Sequence, residues 1–332
     1  MSNHEKLSDI ILIGPPRSGS SWISSVLSQS LNMKLIHEPD NERHNIVAWI
    51  LKKNNPRFPS STCINSSVQL RNLYDLSYSG CPFNQKNLLN RIFKQTIGFS
   101  ESKVENTLKK YQLADSQDIF TLNRKEKIIL KISLAIQRLH GFILRDKRLL
   151  IKSVHAIHGF DYFLGRTDLE SLILLRHPAA LVNSYLRMNL SDANRVLFSY
   201  YDIKQEDSLK IKKRLDEIDD PIVRASAQIS YFYHIISFSK QLKNNQILFF
   251  EDFSKNALNE FEKLYQRLNL EWGEEIEQYI TETNTEGSGF SINRKIECQA
   301  DKWRNELNEE KIDKIREGYS MYQSKFYQDF LT

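Results

Sequence analysis

The stretch Ile10–Leu27, with the sequence IILIGPPRSGSSWISSVL, decides the fold class. Its first four residues are apolar, as in a strand buried on both faces, and a loop of glycine, proline and serine follows at once. Apolar residues then return at helical spacing, which predicts an amphipathic helix. A loop between a buried strand and a helix N-terminus directs backbone N–H groups at an anion. Arg17 and Gly19 lie in that loop, where glycine allows the main chain to approach a ligand closely.

Further short apolar runs have the same strand character, and helical patterns separate them. This alternation favours an α/β fold with three layers and a central parallel sheet, built as one domain of residues 1–332. The stretches 41–147 and 191–244 are longer than a crossover requires, and we interpret both as largely helical insertions, the first on the acceptor side. Strands are expected at Ile10–Ile13, Lys34–His37, Arg148–Lys152, Ser171–Leu175 and Gln246–Phe250, and an irregular segment at Asn54–Gly80. Helices are expected after Ser18, Pro178 and Ser254, the last with Ser254 as its N-cap.

Composition limits the function classes. The 332 residues include 46 Lys and Arg against 41 Asp and Glu, and the net charge of +5 is too small to indicate bulk nucleic-acid binding. No stretch approaches the ~18 apolar residues of a membrane span, and the first residues lack the pattern of a secretory signal. Three widely spaced cysteines form neither a disulfide framework nor a metal knuckle. We therefore expect a cytoplasmic protein without a metal, a membrane span or a nucleic-acid partner.

The loop has almost the spacing of the nucleoside-triphosphate loop G-x-x-x-x-G-K-S/T. Ser20 stands where that loop has the Lys that reaches the β- and γ-phosphates, and the basic residue has moved to Arg17. A retained phosphate cradle without that Lys indicates a different nucleotide. Two alternatives stay open: a nucleotide-dependent kinase on a related fold, and a non-catalytic protein that binds a nucleotide or a glycan.

A second motif follows the strand expected at Ser171–Leu175. Arg176 ends that strand, Pro178 opens the next helix, and Ser184 lies one to two turns into it. The guanidinium and the hydroxyl could together hold one phosphate, the first by charge and the second by a hydrogen bond. Ligands in open α/β sheets bind beyond the carboxyl ends of the strands, where both motifs would lie.

Pro16–Trp22 resembles the P-K/R-S-G-S/T-S/T-W/F loop of the sulfotransferase family, and Arg176 with Ser184 resembles that family's 3′-phosphate site. The resemblance implies a P-loop-like fold. It also implies transfer of a sulfuryl group from PAPS (3′-phosphoadenosine 5′-phosphosulfate) to an acceptor hydroxyl, with release of 3′,5′-ADP. The Arg form of the loop is closer to the carbohydrate enzymes than to the phenol and steroid enzymes. The implied acceptor is therefore a carbohydrate-like molecule, another small metabolite or a lipid.

The resemblance also implies roles for individual residues. Arg17 would stabilise the departing phosphate, Lys152 would add positive charge beside the transferring group, and Trp22 would lie near the adenine. A C-terminal loop would close over the cofactor. The implied cofactor-binding residues are Arg17, Ser18, Gly19, Ser20, Ser21, Trp22, Arg176, Ser184, Arg294 and Lys295.

Two residues compete for the role of the catalytic base. Glu38, in LIHEPDN, ends the second strand, and carbohydrate-type sulfotransferases have a Glu at the corresponding strand end. His155, in KSVHAIH, lies one residue beyond the position at which phenol and steroid enzymes have a His. Both assignments stay open here. His37 alternates with Glu38 along the strand and is expected to face away from the site.

Overall fold

The computed structural model describes residues 7–52, 58–78, 80, 83, 87–99, 122–144, 146–188, 206–285 and 295–332. The strands of these residues are β1 Asp9–Ile13, β2 Met33–His37, β3 Arg148–Ser153, β4 Leu169–Leu175 and β5 Ile247–Phe249. They form one parallel sheet in the order β2-β3-β1-β4-β5, and helices flank it. The expected α/β fold with a central parallel sheet is confirmed.

The strands form where the chain is continuously apolar. Every side chain of Ile10–Ile13 in β1 and of Leu172–Leu175 in β4 is fully buried, as expected for strands covered on both faces. β5 pairs with β4 in parallel, and Leu174 lies opposite Leu248. Each expected strand is present, with bounds that differ by at most two residues. β5 ends before Phe250, which begins a helix.

The described helices divide between the connections of the sheet. Those of the first half are α1 Ser20–Leu27, α2 Ile46–Leu51, α3 Ser61–Ser66, α4 Val68–Ser77, α5 Leu88–Thr96, α6 Arg124–Ile143 and α7 Phe160–Leu164. Those of the second half are α8 Pro178–Arg187, α9 Glu206–Asp216, α10 Pro221–Ser237, α11 Phe250–Lys255, α12 Ala257–Arg267, α13 Glu274–Thr283, α14 Lys302–Glu306 and α15 Glu309–Tyr319. None of them is both long enough and apolar enough to cross a bilayer.

Two compact units divide the chain. The first unit is formed within residues 1–11, 34–171 and 199–209, and in it α2 packs against α4, α5 and α6. The second unit is formed within residues 12–33, 172–198 and 210–332, and in it α10 packs along α15 and against α8. The loop after β1 and the motif after β4 belong to the second unit, while Glu38, Lys152 and His155 belong to the first.

The irregular segment expected at Asn54–Gly80 is wrong, because α3 and α4 occupy most of it. Two of its serines, Ser60 and Ser67, are helix N-caps rather than loop residues. The Ser60 side chain accepts a hydrogen bond from the N–H of Cys63, and the Ser67 side chain accepts one from Leu70. Ser and Asn are common at N-caps because their side chains can accept such a hydrogen bond. The polar composition of this segment is therefore compatible with two short helices.

The helix expected after Ser254 is present as α12, but Ser254 is not its N-cap, because a separate short helix, α11, precedes it. The two helices are separated at Asn256, where φ is −143° and ψ is 63°. Ser254 lies inside α11 instead of capping a helix, and its hydroxyl donates a hydrogen bond to the Ile296 carbonyl. A tertiary hydrogen bond thus takes up the hydroxyl that the local pattern assigns to a cap.

Candidate active site

The loop after β1 holds its shape through unusual backbone angles. Arg17 has φ of 70° and Gly19 has φ of 96°, both in the left-handed region that non-glycine residues seldom adopt. A Cβ at Gly19 would overlap the Phe250 ring, so the position has no room for a side chain. Gly19 is also the N-cap of α1 and provides no side-chain cap. The first-turn N–H groups of α1 therefore face the loop without a competing side-chain acceptor from the N-cap.

Arg17, Ser184 and Arg176 lie together in the second unit. The Arg17 Nε donates to the Ser184 Oγ at 3.1 Å, and the Arg176 Nη1 donates to the Arg17 carbonyl at 2.8 Å. The loop after β1 and the motif after β4 are thus joined directly. Two guanidinium groups and a hydroxyl in one cluster are suited to bind phosphate oxygens.

Arg176 is almost fully buried. Its Nη2 donates to the Gln299 carbonyl at 2.8 Å, and its guanidinium lies 4.4 Å from the centre of the Phe250 ring. Burial lowers the pKa of Arg176 to about 10, against the opposing effect of the Glu251 carboxylate. The side chain therefore remains a cation at neutral pH. A buried cation of this kind attracts an anion more strongly than an exposed one.

Two polar atoms of this cluster fit an anionic ligand. Within the described part of the chain, the buried Ser18 Oγ and the Arg176 Nε have no hydrogen-bond partner. Buried donors are nearly always satisfied in folded proteins, so each unsatisfied one calls for an explanation. A phosphate or sulfate oxygen would supply the acceptor that both groups require.

The other residues expected to bind the cofactor have different surroundings. Ser20 is buried and Ser21 is exposed at the start of α1. Trp22 is buried, lies edge-on to Phe261 with ring centroids 5.1 Å apart, and donates its indole N–H to the Thr283 hydroxyl at 3.3 Å. These contacts pack α1 against its neighbours. That Trp22 lies near the adenine stays a prediction. Lys295 is exposed, and Arg294 lies outside the described residues.

Glu38 lies directly after β2 in the first unit. Its backbone is left-handed, with φ of 45°, and its N–H donates to the Lys152 carbonyl at 2.7 Å. One carboxylate oxygen accepts a hydrogen bond from the Lys152 ammonium, and the other accepts one from the Asn41 amide at 2.7 Å. The side chain is therefore held in a fixed orientation by two donors. Asn41 was not expected from the sequence, although it follows in the same LIHEPDN segment.

The charge state of Glu38 follows from this environment. Burial is the largest single effect and would by itself raise the pKa of its carboxyl, but the Lys152 ammonium, His37 and His155 all lower it and together outweigh burial. The pKa of Glu38 is consequently well below its usual range. Glu38 is an anion at any pH near neutrality, as a proton acceptor must be.

His155 belongs to a buried polar cluster formed by Glu42, Lys52 and His155. The His155 Nδ1 lies 3.1 Å from the Lys52 Nζ and 3.3 Å from a Glu42 carboxylate oxygen, and its ring lies 4.8 Å from the centre of the Phe58 ring. All three members of the cluster are buried. The sequence offers no local signal for it, because 103 residues separate Lys52 from His155.

One group of side chains in the described residues could ligate a metal ion. Potential ligand atoms of His37, Glu38 and His44 all lie within 4.8 Å of one another. His37 therefore lies beside Glu38 and does not face away from it, because the left-handed backbone at Glu38 ends the alternation of the strand. A metal ion here would compete with Lys152 for the carboxylate. The expectation that the protein uses no metal stays a prediction.

No family model and no curated protein sequence matches this chain. Among solved structures, it is similar to the sulfotransferase domain from the curacin biosynthetic pathway, with 15% identity over 96% of this chain and 100% of that one, at a TM-score of 0.48. The sulfotransferase domain from the Synechococcus olefin synthase gives 14% identity over 95% of each chain and a TM-score of 0.43. The sulfotransferase STF1 from Mycobacterium tuberculosis gives 14% identity over 91% of this chain and 78% of that one, at 0.38.

Proposed function

We propose that this chain transfers the sulfuryl group of PAPS to an acceptor hydroxyl and releases 3′,5′-ADP. The acceptor is a carbohydrate-like molecule, another small metabolite or a lipid. The observation that carries the proposal is the cluster in which Arg17 contacts Ser184 and Arg176 contacts Arg17. Arg17 and Ser184 are 167 residues apart in sequence, and each belongs to a motif expected to bind a different phosphate of one nucleotide.

In this proposal the cluster binds the two charged ends of the nucleotide. Arg17 and the α1 N-terminus hold the 5′-phosphosulfate, with hydrogen bonds from Ser18, Ser20 and Ser21. Arg176 and Ser184 hold the 3′-phosphate, and Arg294 and Lys295 add positive charge. The buried Ser18 Oγ and Arg176 Nε, which lack partners within the described part of the chain, support this assignment. A P-loop kinase is less favoured, because Ser20 replaces the Lys that such enzymes use on the β- and γ-phosphates.

We further propose that Glu38 is the base and that His155 positions the polypeptide around it. Glu38 is anionic and needs only a hydroxyl proton within reach, whereas the His155 Nδ1 is already engaged by Lys52 and Glu42. During transfer the acceptor oxygen forms a bond to sulfur, the bond from sulfur to the leaving phosphate oxygen breaks, and Glu38 takes the acceptor proton. Lys152 stabilises the negative charge that develops during transfer. As it does so, its ammonium binds the Glu38 carboxylate less strongly, which makes Glu38 a stronger base.

Calorimetry with 3′,5′-ADP tests the nucleotide site. We expect the wild-type protein to bind it, and Ser184→Ala and Arg176→Lys to bind at least about tenfold more weakly, since each loses a charge-assisted or bidentate hydrogen bond. Arg187→Ala is the matched control on the same helix, because its side chain is half exposed and pairs only loosely with Glu306, at 3.8 Å. This variant should bind like the wild type.

Three results would contradict the proposal in different ways. Equal affinity of the wild type and all three variants for 3′,5′-ADP would contradict the proposed nucleotide site. Tighter binding of Mg·ATP than of 3′,5′-ADP would favour the kinase. Tight nucleotide binding with no PAPS turnover, across sugar, lipid and metabolite acceptors, would favour the non-catalytic alternative. A screen of 3′,5′-ADP release over these acceptors also identifies the acceptor class.

A further inference from the structure

Helix α6 buries polar residues and exposes apolar ones. Along Arg124–Ile143, the buried side chains are Glu126, Ile129, Ser133 and Gln137, so three of these four are polar. A surface helix normally does the opposite, with its apolar stripe toward the core. Leu130, Leu134 and Ile136 are half-buried, and the remaining large apolar side chains of the helix are exposed in the part of the chain that the structure describes.

The exposed apolar residues form one stripe. Their positions follow at intervals of four, three, four and three residues, which places them on a single side of a helix. Single exposed apolar residues are common, but a continuous row of large ones marks an interaction surface. The stripe contains Ile128, Ile132, Ala135, Leu139 and Phe142, with Ile143 beside its end, and its large members are between 45% and 66% exposed.

The charged residues of α6 are almost all basic. Its one acidic residue, Glu126, is buried and forms a capping box with Asn123. The exposed face therefore combines the apolar stripe with positive charge alone. The basic residues of α6 are Arg124, Lys125, Lys127, Lys131 and Arg138, all exposed.

Helix α5 has the same character. It exposes Leu88, Leu89, Ile92 and the basic Arg91, and it has no acidic residue. Both α5 and α6 pack against α2 in the first unit. Two helices of this unit thus carry exposed apolar and basic side chains together.

We propose that α6, with α5, binds the surface of an anionic lipid bilayer. A helix of 20 residues is about 30 Å long and lies in the interface plane, with its apolar side chains among the acyl chains and its basic side chains at the headgroups. Two partners could cover this face, a second copy of the chain or a bilayer, and the positive charge of the face favours the bilayer. A second copy of the same face would bring five basic side chains against five others, whereas anionic headgroups neutralise them. This inference does not depend on the proposed function.

Vesicle co-sedimentation tests the proposal. The full chain should bind vesicles of equal parts phosphatidylcholine and phosphatidylglycerol, and should bind phosphatidylcholine alone at least about tenfold more weakly. Ile132→Gln/Leu139→Gln removes two apolar side chains from the stripe, and Lys127→Gln/Lys131→Gln removes two charges. Each pair should reduce binding to the anionic vesicles by about tenfold or more. All four positions are exposed, so both variants should fold.

The control is Leu258→Gln, which replaces an apolar residue of similar exposure on α12 in the second unit. It should bind vesicles like the wild type. Equal binding to both vesicle types, or unchanged binding by the two double variants, would overturn the proposal. Self-association that requires Ile132 and Leu139, without vesicle binding, would do so as well and would assign the stripe to a second copy of the chain.

Discussion

Arg17 and Glu38 share a backbone property that links them to function. Both are non-glycine residues with positive φ, and such conformations cost energy that the surrounding structure must supply. The Arg17 carbonyl accepts a hydrogen bond from Arg176, and the Glu38 N–H donates to the Lys152 carbonyl. Each strained residue is therefore held by another residue of the candidate site. These are two of the residues that we propose to perform the chemistry.

Glu38→Gln should keep its affinity for 3′,5′-ADP and lose at least about a hundredfold in turnover, because the amide cannot accept the acceptor proton. Steady-state kinetics and calorimetry on the same preparation separate the two effects. His155→Gln is the comparison, since it tests the rival base. The folded fraction of the His155→Gln variant should catalyse transfer at close to the wild-type rate. If His155→Gln loses turnover while Glu38→Gln retains it, the two roles must be exchanged.

At the scale of elements, the junction of β1 and α1 depends on Gly19. Gly19→Ala should destabilise the fold by about 1–3 kcal/mol, because it combines a left-handed backbone with overlap of the Phe250 ring. It should also weaken nucleotide binding, since the loop must shift to admit the methyl group. Thermal unfolding and calorimetry measure the two effects.

Gly273→Ala provides the matched control for Gly19. Gly273 also precedes a helix, but its backbone is extended, with φ of −168°, and no atom lies within 4 Å of an added Cβ. It should unfold and bind nucleotide like the wild type. A similar loss in both variants would mean that glycine matters at Gly19 only through general helix propensity.

The sequence predicted the elements whose signals are local. Every strand of the described residues was expected because buried parallel strands are continuously apolar, and the motifs after β1 and β4 could be recognised because each lies within a few residues of a strand end. The features that the sequence did not predict depend on contacts that the local pattern does not specify. Ser60 and Ser67 cap helices in a segment expected to be irregular, and Ser254 bonds to a distant carbonyl instead of capping.

The candidate site was predictable to a similar degree. Arg17, Arg176 and Ser184 were expected to act on one nucleotide, and the structure brings them into contact. The contact of Lys152 with Glu38 spans 114 residues, and nothing in either local pattern indicates it. Pairings of this kind arise from the sheet order, so only the folded structure reveals them.

For the molecule as a whole, the pairing of Glu38 with Lys152 makes the stability of the folded state depend on pH in the acid range. The pKa of Glu38 is lowered by folding, so its stabilising contribution is fully present above pH 4.5, the unperturbed value, and is lost as the pH falls below it. Glu38→Gln should therefore have a lower Tm than the wild type at about pH 7, because Lys152 is left buried without its partner. The difference in Tm should become smaller at about pH 4 and below.

Thermal scans of both proteins across this pH range measure the effect. Glu275→Gln, an exposed position on α13, is the control and should differ little from the wild type throughout. A Tm difference between Glu38→Gln and the wild type that is independent of pH would mean that the carboxylate contributes by packing and not by charge.

The contacts of Arg176 have a consequence for how the protein is made. Its guanidinium joins the Arg17 carbonyl, 159 residues earlier in the chain, to the Gln299 carbonyl, 123 residues later. A ribosome must therefore extend the chain past Gln299 before both contacts can form, and links between such distant positions are slow to assemble. Binding of 3′,5′-ADP would then report on completed folding. Because a ligand stabilises only the state that binds it, the proposed nucleotide would protect completed chains from proteolysis and leave incomplete chains unprotected.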